Sequence, residues 1–217
     1  MKDRLEETRT ELHKLPVETF QLVWPAAQYL SGYIHALQQD WSPDTMRPQA
    51  AQEHLALIAE DPDLFLSQQI DREARGPRVT LPDGSTVPRL SGFVRWMWDG
   101  EFCGAIGLRW QMGTHELPPY CLGHIGYSVV PWKRRQGYAT EALRLLLPDV
   151  RTEGLAQVDI VIRTTNIASQ RVIEANGGRL IERFRSDIYG GPERTLYRIS
   201  LDQILNNSPD VSDANRS

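Results

Sequence analysis

Apolar positions repeat with a helical period at the start of the chain and with a strand period through its middle. From Glu18 to Asp40, residues Phe20, Val23, Trp24, Ala27 and Leu30 fall near i, i+3, i+4, i+7 spacing, which predicts a helix. Trp41-Ser42-Pro43-Asp44 reads as a turn. A second helix is predicted from Arg47 to Glu60, with Ala51, Leu55 and Ile58 on one face, and Asp61-Pro62 stops or restarts it. A short helical piece follows from Phe65 to Ile70. Then the texture changes: Val79–Leu81 and Ser85–Val87 flank Pro82-Asp83-Gly84, a hairpin signal. Phe93–Trp98 and Phe102–Trp110 are predicted strands joined by a tight turn at Asp99-Gly100. Gly123–Val130 is a further strand.

After Val130 the pattern reads helix, strand, helix, strand, strand. The first helix opens near Gly137 and carries Ala139, Ala142, Leu143, Leu146, Leu147 and Val150 on one face. Pro148 inside it is expected to bend its last turn or end it early. Val158–Arg163 is a strand, and a helix from about Ile167 stops at Gly177-Gly178. Arg179–Arg185 and Thr195–Ser200 read as a closing antiparallel pair. Residues 1–14 form a frayed helix or a disordered arm, and 206–217 are expected to be a disordered polar tail.

Composition narrows the classes. A length of 217 residues supports one sizeable domain. A net charge of -4 argues against a nucleic-acid partner, because phosphate contacts usually demand a basic excess. No apolar run approaches the ~20 residues needed to span a bilayer, and the first residues lack a signal-peptide core, which favours the cytoplasm. Cys103 and Cys121 make neither C-x-x-C nor zinc-type spacing and read as buried reduced thiols, so no metal is expected.

The informative stretch runs from Gly126 to Leu143. A strand ends at Val130, a basic loop Lys133-Arg134-Arg135-Gln136 follows, and Gly137 opens a helix. The first turn of a helix has backbone N–H groups without internal partners, and its dipole favours an anion by ~0.3–1 kcal/mol. Gly137 lets an anion approach the backbone, Ala139 is nearly as small, and two or three cationic side chains stand beside the turn. Such a corner is a cradle for a pyrophosphate. On physical features alone, a strand–loop–helix corner with a solvated basic rim is an equal alternative.

Arg134-Arg135-Gln136-Gly137-Tyr138-Ala139 resembles the R/Q-x-x-G-x-G/A motif of the GNAT superfamily of N-acetyltransferases. Asn166-Ile167-Ala168-Ser169 and the helix after it resemble the N-x-A-S segment of ribosomal-protein-type members. Trp96–Gly100, Leu108–Trp110 and Gly123–Trp132 are similar to a bacterial group sharing W-x-W-D-G, L-R-W and G-H-I-G-Y-S-V-V-P-W. The likeness covers about Phe93–Ser200. It implies an α/β (α+β) acyl-CoA N-acyltransferase fold: a central mixed, mostly antiparallel sheet, splayed at the CoA site and flanked by helices. One domain would span 1–205, with a helical part over 1–70, an added hairpin over 71–90 and the core over 91–200.

The resemblance also implies acetyl-CoA as co-substrate, without a metal, and direct attack by an amine on a small molecule, peptide or protein. A homodimer would be in keeping with the family. By resemblance, Val129 and Val130 hold the pantetheine arm, Arg134, Arg135, Gln136, Gly137, Tyr138, Ala139 and Thr140 hold the pyrophosphate, and Asn166 and Ser169 lie beside the cofactor. Asn166 also suits an N-cap. Many members place a tyrosine seven residues after the asparagine as acid for the leaving thiolate, and here that residue is Ile173. Ser169 is the nearest polar replacement. His124, which titrates in the useful range, and Tyr127 are candidates on the central strand, although a structural role for His124 has equal standing. Arg95, Trp98 and Arg109, on paired strands, are candidates for the acceptor, the arginines as partners of a carboxylate. The second reading is a non-catalytic acyl-CoA-binding sensor.

Overall fold

In a computed structural model that describes residues 20–201, the first element is a strand rather than a helix. β1 (Gln21–Val23) pairs antiparallel with β5 (Ser91–Trp98), with Val23 opposite Trp96. The reason is Pro25, which drives Trp24 out of the helical region, so that α1 (Ala27–Gln38) starts beyond it. The helical spacing of Phe20, Val23 and Trp24 is therefore coincidental. Val23 faces one core and Leu22 packs against the other, the alternation of a strand covered on both sides. The expectations for residues 1–14 and 206–217 fall outside the described residues.

α2 (Ala50–Glu60) starts three residues later than the pattern predicts, because the chain through Pro48 makes tight turns: Ala50 N–H donates to Arg47 O at 3.0 Å. α3 (Pro62–Ser67) is capped by Asp61, whose carboxylate accepts the Leu64 N–H at 2.9 Å. It lies three residues earlier than expected, since Ile70 belongs to β2 (Ile70–Asp71), opposite Phe93. β3 (Val79–Thr80) and β4 (Thr86–Val87) form the expected hairpin.

β5, β6 (Phe102–Trp110) and β7 (Ile125–Val129) form an antiparallel meander, giving the order β1-β5-β6-β7 with β2 beside β5. α4 (Tyr138–Thr152) crosses from β7 to β8 (Gln157–Arg163). α5 (Ile167–Ala175) then leads to β9 (Arg179–Phe184) and β10 (Arg194–Ser200), in the order β8-β10-β9. The central sheet is antiparallel and flanked by helices, as the resemblance implies, and it divides between β7 and β8 into these two ladders; every ladder among the described residues is antiparallel. α4 does not stop at Pro148. Leu143, Leu146, Leu147 and Val150 are all buried, each worth ~1.5–3 kcal/mol, which outweighs the ~3 kcal/mol of an interior proline.

The larger sheet separates two cores. Ile106, Leu108 and Ile125 face α4, while Trp96, Ala105 and Val130 face Tyr33, Leu37 and Trp41 from α1 and the loop after it. The strands are held close by Gly104, where a Cβ would stand 2.3 Å from Ser128 O and 2.9 Å from Val129 Cα. Gly104→Ala is expected to lower stability by ~1–3 kcal/mol or more through overpacking. Gly84→Ala, at a positive φ with nothing within 4 Å, should cost only ~1–2 kcal/mol. Thermal unfolding of both variants checks this, and equal losses would contradict the crowding at Gly104.

Candidate active site

Parity along β7 sets the site. Arg109 N–H donates to His124 O at 2.8 Å and Val130 N–H to Cys103 O at 3.0 Å. In an antiparallel ladder these bonds direct the backbone groups of Gly126 and Ser128 towards β6, and those of Ile125, Tyr127 and Val129 away from it. On that far side β8 approaches at one point. His124 N–H donates to Asp159 O at 2.7 Å, and Asp159 N–H donates to His124 Nδ1 at 3.0 Å. Gly123 permits the approach, since a Cβ there would stand 3.1 Å from Asp159 O. The ladder goes no further, and the rest of that edge of β7 is open to a ligand.

The open edge leads to a basic corner. A 3₁₀ turn, Pro131–Lys133, follows β7, Arg135 takes φ 62 and Gly137 takes φ 86 at the N-cap of α4. The first helical bond runs from Glu141 N–H to Gly137 O, so the amides of residues 135–140 have no backbone acceptor among the described residues. They and the exposed Arg134 and Arg135 face one corner, while Arg134 Nε also donates to Val129 O at 3.1 Å. Gln136 donates to Trp132 O at 3.3 Å.

The third cation is spent elsewhere. Lys133 Nζ lies 2.9 Å from Asp99 and 3.3 Å from Glu101, which leaves Arg134 and Arg135 without an ion pair at this corner among the described residues. The Tyr138 hydroxyl also donates to Asp99 and its ring is buried, so this residue offers the corner only its backbone. Burial opposes the charge on Asp99, but the bonds from Tyr138 and Lys133 outweigh it and hold the carboxyl below the ordinary range. The network ties the β5–β6 turn to the first residues of the loop and helix.

α5 closes the other wall. Asn166 caps it by accepting Ser169 N–H at 3.1 Å. Tyr127 OH donates to Ser169 O at 3.4 Å, so these two candidates do come together, although the Ser169 hydroxyl is not the partner. Burial pushes the Tyr127 phenol up to about 12. Ile173 is fully buried in the core. Asn176, which sequence reasoning missed, donates to Thr140 O at 3.1 Å and fixes α5 against the first turn of α4.

The remaining candidates separate. His124 is 1% exposed, its Nδ1 accepts from Asp159 N–H in the joint with β8, and burial lowers its pKa. Arg95 is engaged within the fold: it bonds Asp149 at 2.7 Å and Leu22 O at 2.6 Å and stacks 4.1 Å over Trp24, joining β5, β1 and α4. Trp98 packs its ring 4.7 Å from Tyr29, under α1. Arg109 alone of this group is exposed, on the sheet face towards α1 and α2. On that face Ser128, also missed, accepts from Trp41 Nε1 at 2.9 Å and donates to Ser42 O at 3.2 Å. No sequence signal links positions 87 residues apart. A hollow lined by Trp110, Met112, His115, Glu153 and Leu155 shares no residue with the corner or with β7.

Residues 35–179 match the family model of the acetyltransferase (GNAT) domain. Similar solved structures include RimL, a ribosomal L7/L12 alpha-N-protein acetyltransferase in complex with coenzyme A (15% identity, 85% of this chain and 95% of that one, TM-score 0.56). Mycobacterium smegmatis RimJ in complex with CoA-disulfide is also similar (17%, 85% and 83%, 0.54). So is the microcin C7 self-immunity acetyltransferase MccE in complex with acetyl-CoA and AMP (11%, 84% and 93%, 0.53). Among curated proteins none matches the chain. With a family match over most of its length, the chain belongs to the GNAT acetyltransferases. It is an acyl-CoA-dependent N-acyltransferase. Among the described residues, no group of His, Cys, Asp and Glu is placed to hold a metal, and no helix is long and apolar enough to cross a membrane.

Because the Asp99 carboxyl is held below its ordinary value, its contribution is present above the unfolded pKa of ~3.9 and lost as pH falls through the folded value. Asp99→Asn should therefore destabilise by ~1–2 kcal/mol at pH 7, and the gap should shrink below pH ~4. Urea unfolding across that range checks it; a gap that stays constant would exclude the ion pair as its source.

Proposed function

We propose that this protein moves an acetyl group from acetyl-CoA directly onto an amine at the open edge of β7. The observation that carries the reading is the joining of two backbone surfaces with few partners, Val129 O meeting only the Arg134 side chain among the described residues. The edge of Ile125, Tyr127 and Val129 lacks a neighbouring strand and runs into the acceptor-free amides of residues 135–140. The first suits the amides of a pantetheine arm and the second a pyrophosphate. Arg134, Arg135, Gln136, Gly137, Ala139 and Thr140 are assigned to the pyrophosphate, with Tyr138 contributing its backbone. Val129 is assigned to the arm. Val130 helps only by position, because its N–H is bonded to Cys103 O and its side chain is buried on the α1 side.

The chemistry needs no covalent enzyme intermediate. Burial pushes the Cys103 thiol up to about 12 and raises that of Cys121, so neither is a ready thiolate nucleophile. In the proposed step the amine nitrogen bonds to the thioester carbon and the carbon–sulfur bond breaks. A Tyr127 or Val129 N–H steadies the oxyanion. Tyr127, protonated at neutral pH, gives its proton to the departing thiolate and regains one from the amine nitrogen through water. Asn166 and Ser169 position this wall through the cap of α5. With His124 committed to the joint, an α-amine of pKa ~7.7–8.0 needs less help than a lysine near 10.4.

The replacement of the usual tyrosine by the buried Ile173 favours a second reading, a non-catalytic acyl-CoA sensor. Release of CoA in the presence of amines separates the two.

Calorimetric titration of acetyl-CoA should give micromolar binding to the parent protein and none detectable to Gly137→Glu, which adds a side chain at positive φ and a carboxylate in the cradle. Equal binding would overturn the pyrophosphate assignment. Tyr127→Phe should lower kcat by ~10²-fold with the acetyl-CoA KM nearly unchanged; an unchanged kcat would remove Tyr127 as the acid.

A further inference from the structure

Beside the open edge of β7 lies a patch without side chains that the acyl donor does not explain. It is formed by Gly107 and Gly126, paired across β6 and β7 on the face towards α1 and α2. The place a Cβ would take on Gly126 is empty apart from Arg109, whose Nη2 stands 3.0 Å away. The missing side chain lets the guanidinium of a β6 residue lie across β7. There it sits one residue from Tyr127, whose backbone faces the open edge.

Arg109 forms no ion pair among the described residues and is exposed. Its surroundings come from three loops. Cys121, half-buried and not the fully buried thiol its sequence context predicts, lies beside the guanidinium. Tyr189, from the β9–β10 loop, donates to Tyr120 O at 2.7 Å, beside Cys121 in the chain. Arg194 is buried and spends Nη1 on Gly190 O and Pro192 O. Asp44 accepts the Met46 N–H at 2.8 Å. An exposed arginine with no carboxylate partner among the described residues can take a planar anion, which it grips through two N–H groups.

We propose that the acceptor is an amino acid, or a peptide N-terminus with an acidic side chain, whose carboxylate is held by Arg109 over Gly126 while its amine meets the thioester at the edge of β7. This rests on the acyltransferase reading. The dimensions agree: Gly126 and Tyr127 Cα atoms are ~3.8 Å apart, and Gly126 to Val129 spans ~10 Å along the strand. A molecule between the size of an amino acid and a dipeptide bridges carboxylate and amine over that range. The α-amine of such a molecule is also the kind that needs least help from a base.

The test is steady-state CoA release with acetyl-CoA and four acceptors: aspartate, alanine, alaninamide and an Asp-Ala peptide amidated at its C-terminus. The parent should use the carboxylate-bearing acceptors at least ~10-fold better than alaninamide. Aspartate and alanine outrunning the peptide would mark free amino acids as the source, and the reverse would mark acidic N-termini. Arg109→Ala should raise the KM of carboxylate acceptors ~30-fold and erase the preference, with the acetyl-CoA KM unchanged. Gly126→Ala, whose Cβ displaces the guanidinium, should do the same in a folded protein. Equal use of alanine and alaninamide, or an equal KM rise for both in Arg109→Ala, would overturn the carboxylate assignment and leave the transferase standing. Acetyl-CoA binding without CoA release to any acceptor would overturn both.

Discussion

A strand inside a protein needs a hydrogen-bonding neighbour along each edge, because an orphaned backbone group costs ~1–3 kcal/mol. β7 has a full neighbour on one edge and, on the other, a single exchange between His124 and Asp159. Everything around it keeps that imbalance in place. Gly123 allows the sheets to touch at the start of the strand, and Gly104 allows β6 to press against its end. The joint at His124 uses both the backbone and the imidazole of one residue, so the sheets are locked together there and free to diverge beyond it. Helix α5, fixed to α4 by Asn176, covers the far wall without pairing with the strand. The edge is left for something that is not part of the chain.

The basic loop shows how charge is divided between holding the fold and meeting a ligand. Lys133 belongs to the fold: with Tyr138 it satisfies Asp99 and so fixes the start of α4 relative to the β5–β6 turn. Arg134 and Arg135 remain outside, beside amides that no protein group satisfies. The same division recurs across the larger sheet. Arg95 is bound to Asp149 and stacked on Trp24, whereas Arg109 lies over Gly126 without a carboxylate partner among the described residues. Two arginines on paired strands thus have opposite fates, decided by which sheet face they occupy and what packs there.

Such fates explain what could be read in advance. The corner between β7 and α4 was legible because its parts are contiguous: the loop Arg134–Gln136, the glycine at 137 and the apolar face of α4 lie within one short stretch. The cap at Asn166 and the hairpin at Asp83-Gly84 were legible for the same reason. Illegible were the features made by distant partners. Nothing beside Ser128 announces that Trp41 will bond it, and nothing beside Arg95 announces Asp149. β1 was misread because a strand buried on both faces has no polar alternation, so its apolar residues fit a helical period by chance; Pro25 was the local signal against it. Pro148 erred in the other direction, since a local rule was overruled by the tertiary burial of four neighbours.

Parity on β7 reaches further than the acyl donor. Backbone groups of residues 125, 127 and 129 lie along the open edge, while the side-chain positions of Gly126 and Ser128 lie on the face towards α1 and α2. Alternate residues of one strand are thereby given to two surfaces that adjoin at the strand itself. In the proposed reaction this puts the thioester on one and the amine on the other, with a few ångströms of backbone between them. The early helices are then more than an appendage: Trp41 and Ser42 hold the acceptor face in register through Ser128, the residue next to Tyr127 and Val129. A change in the α1–α2 loop would be felt on the acceptor side of β7 while the cradle, held by Asp99 and Asn176, stayed in place. The fold can in this way vary what it acetylates without rebuilding the grip on what it acetylates with.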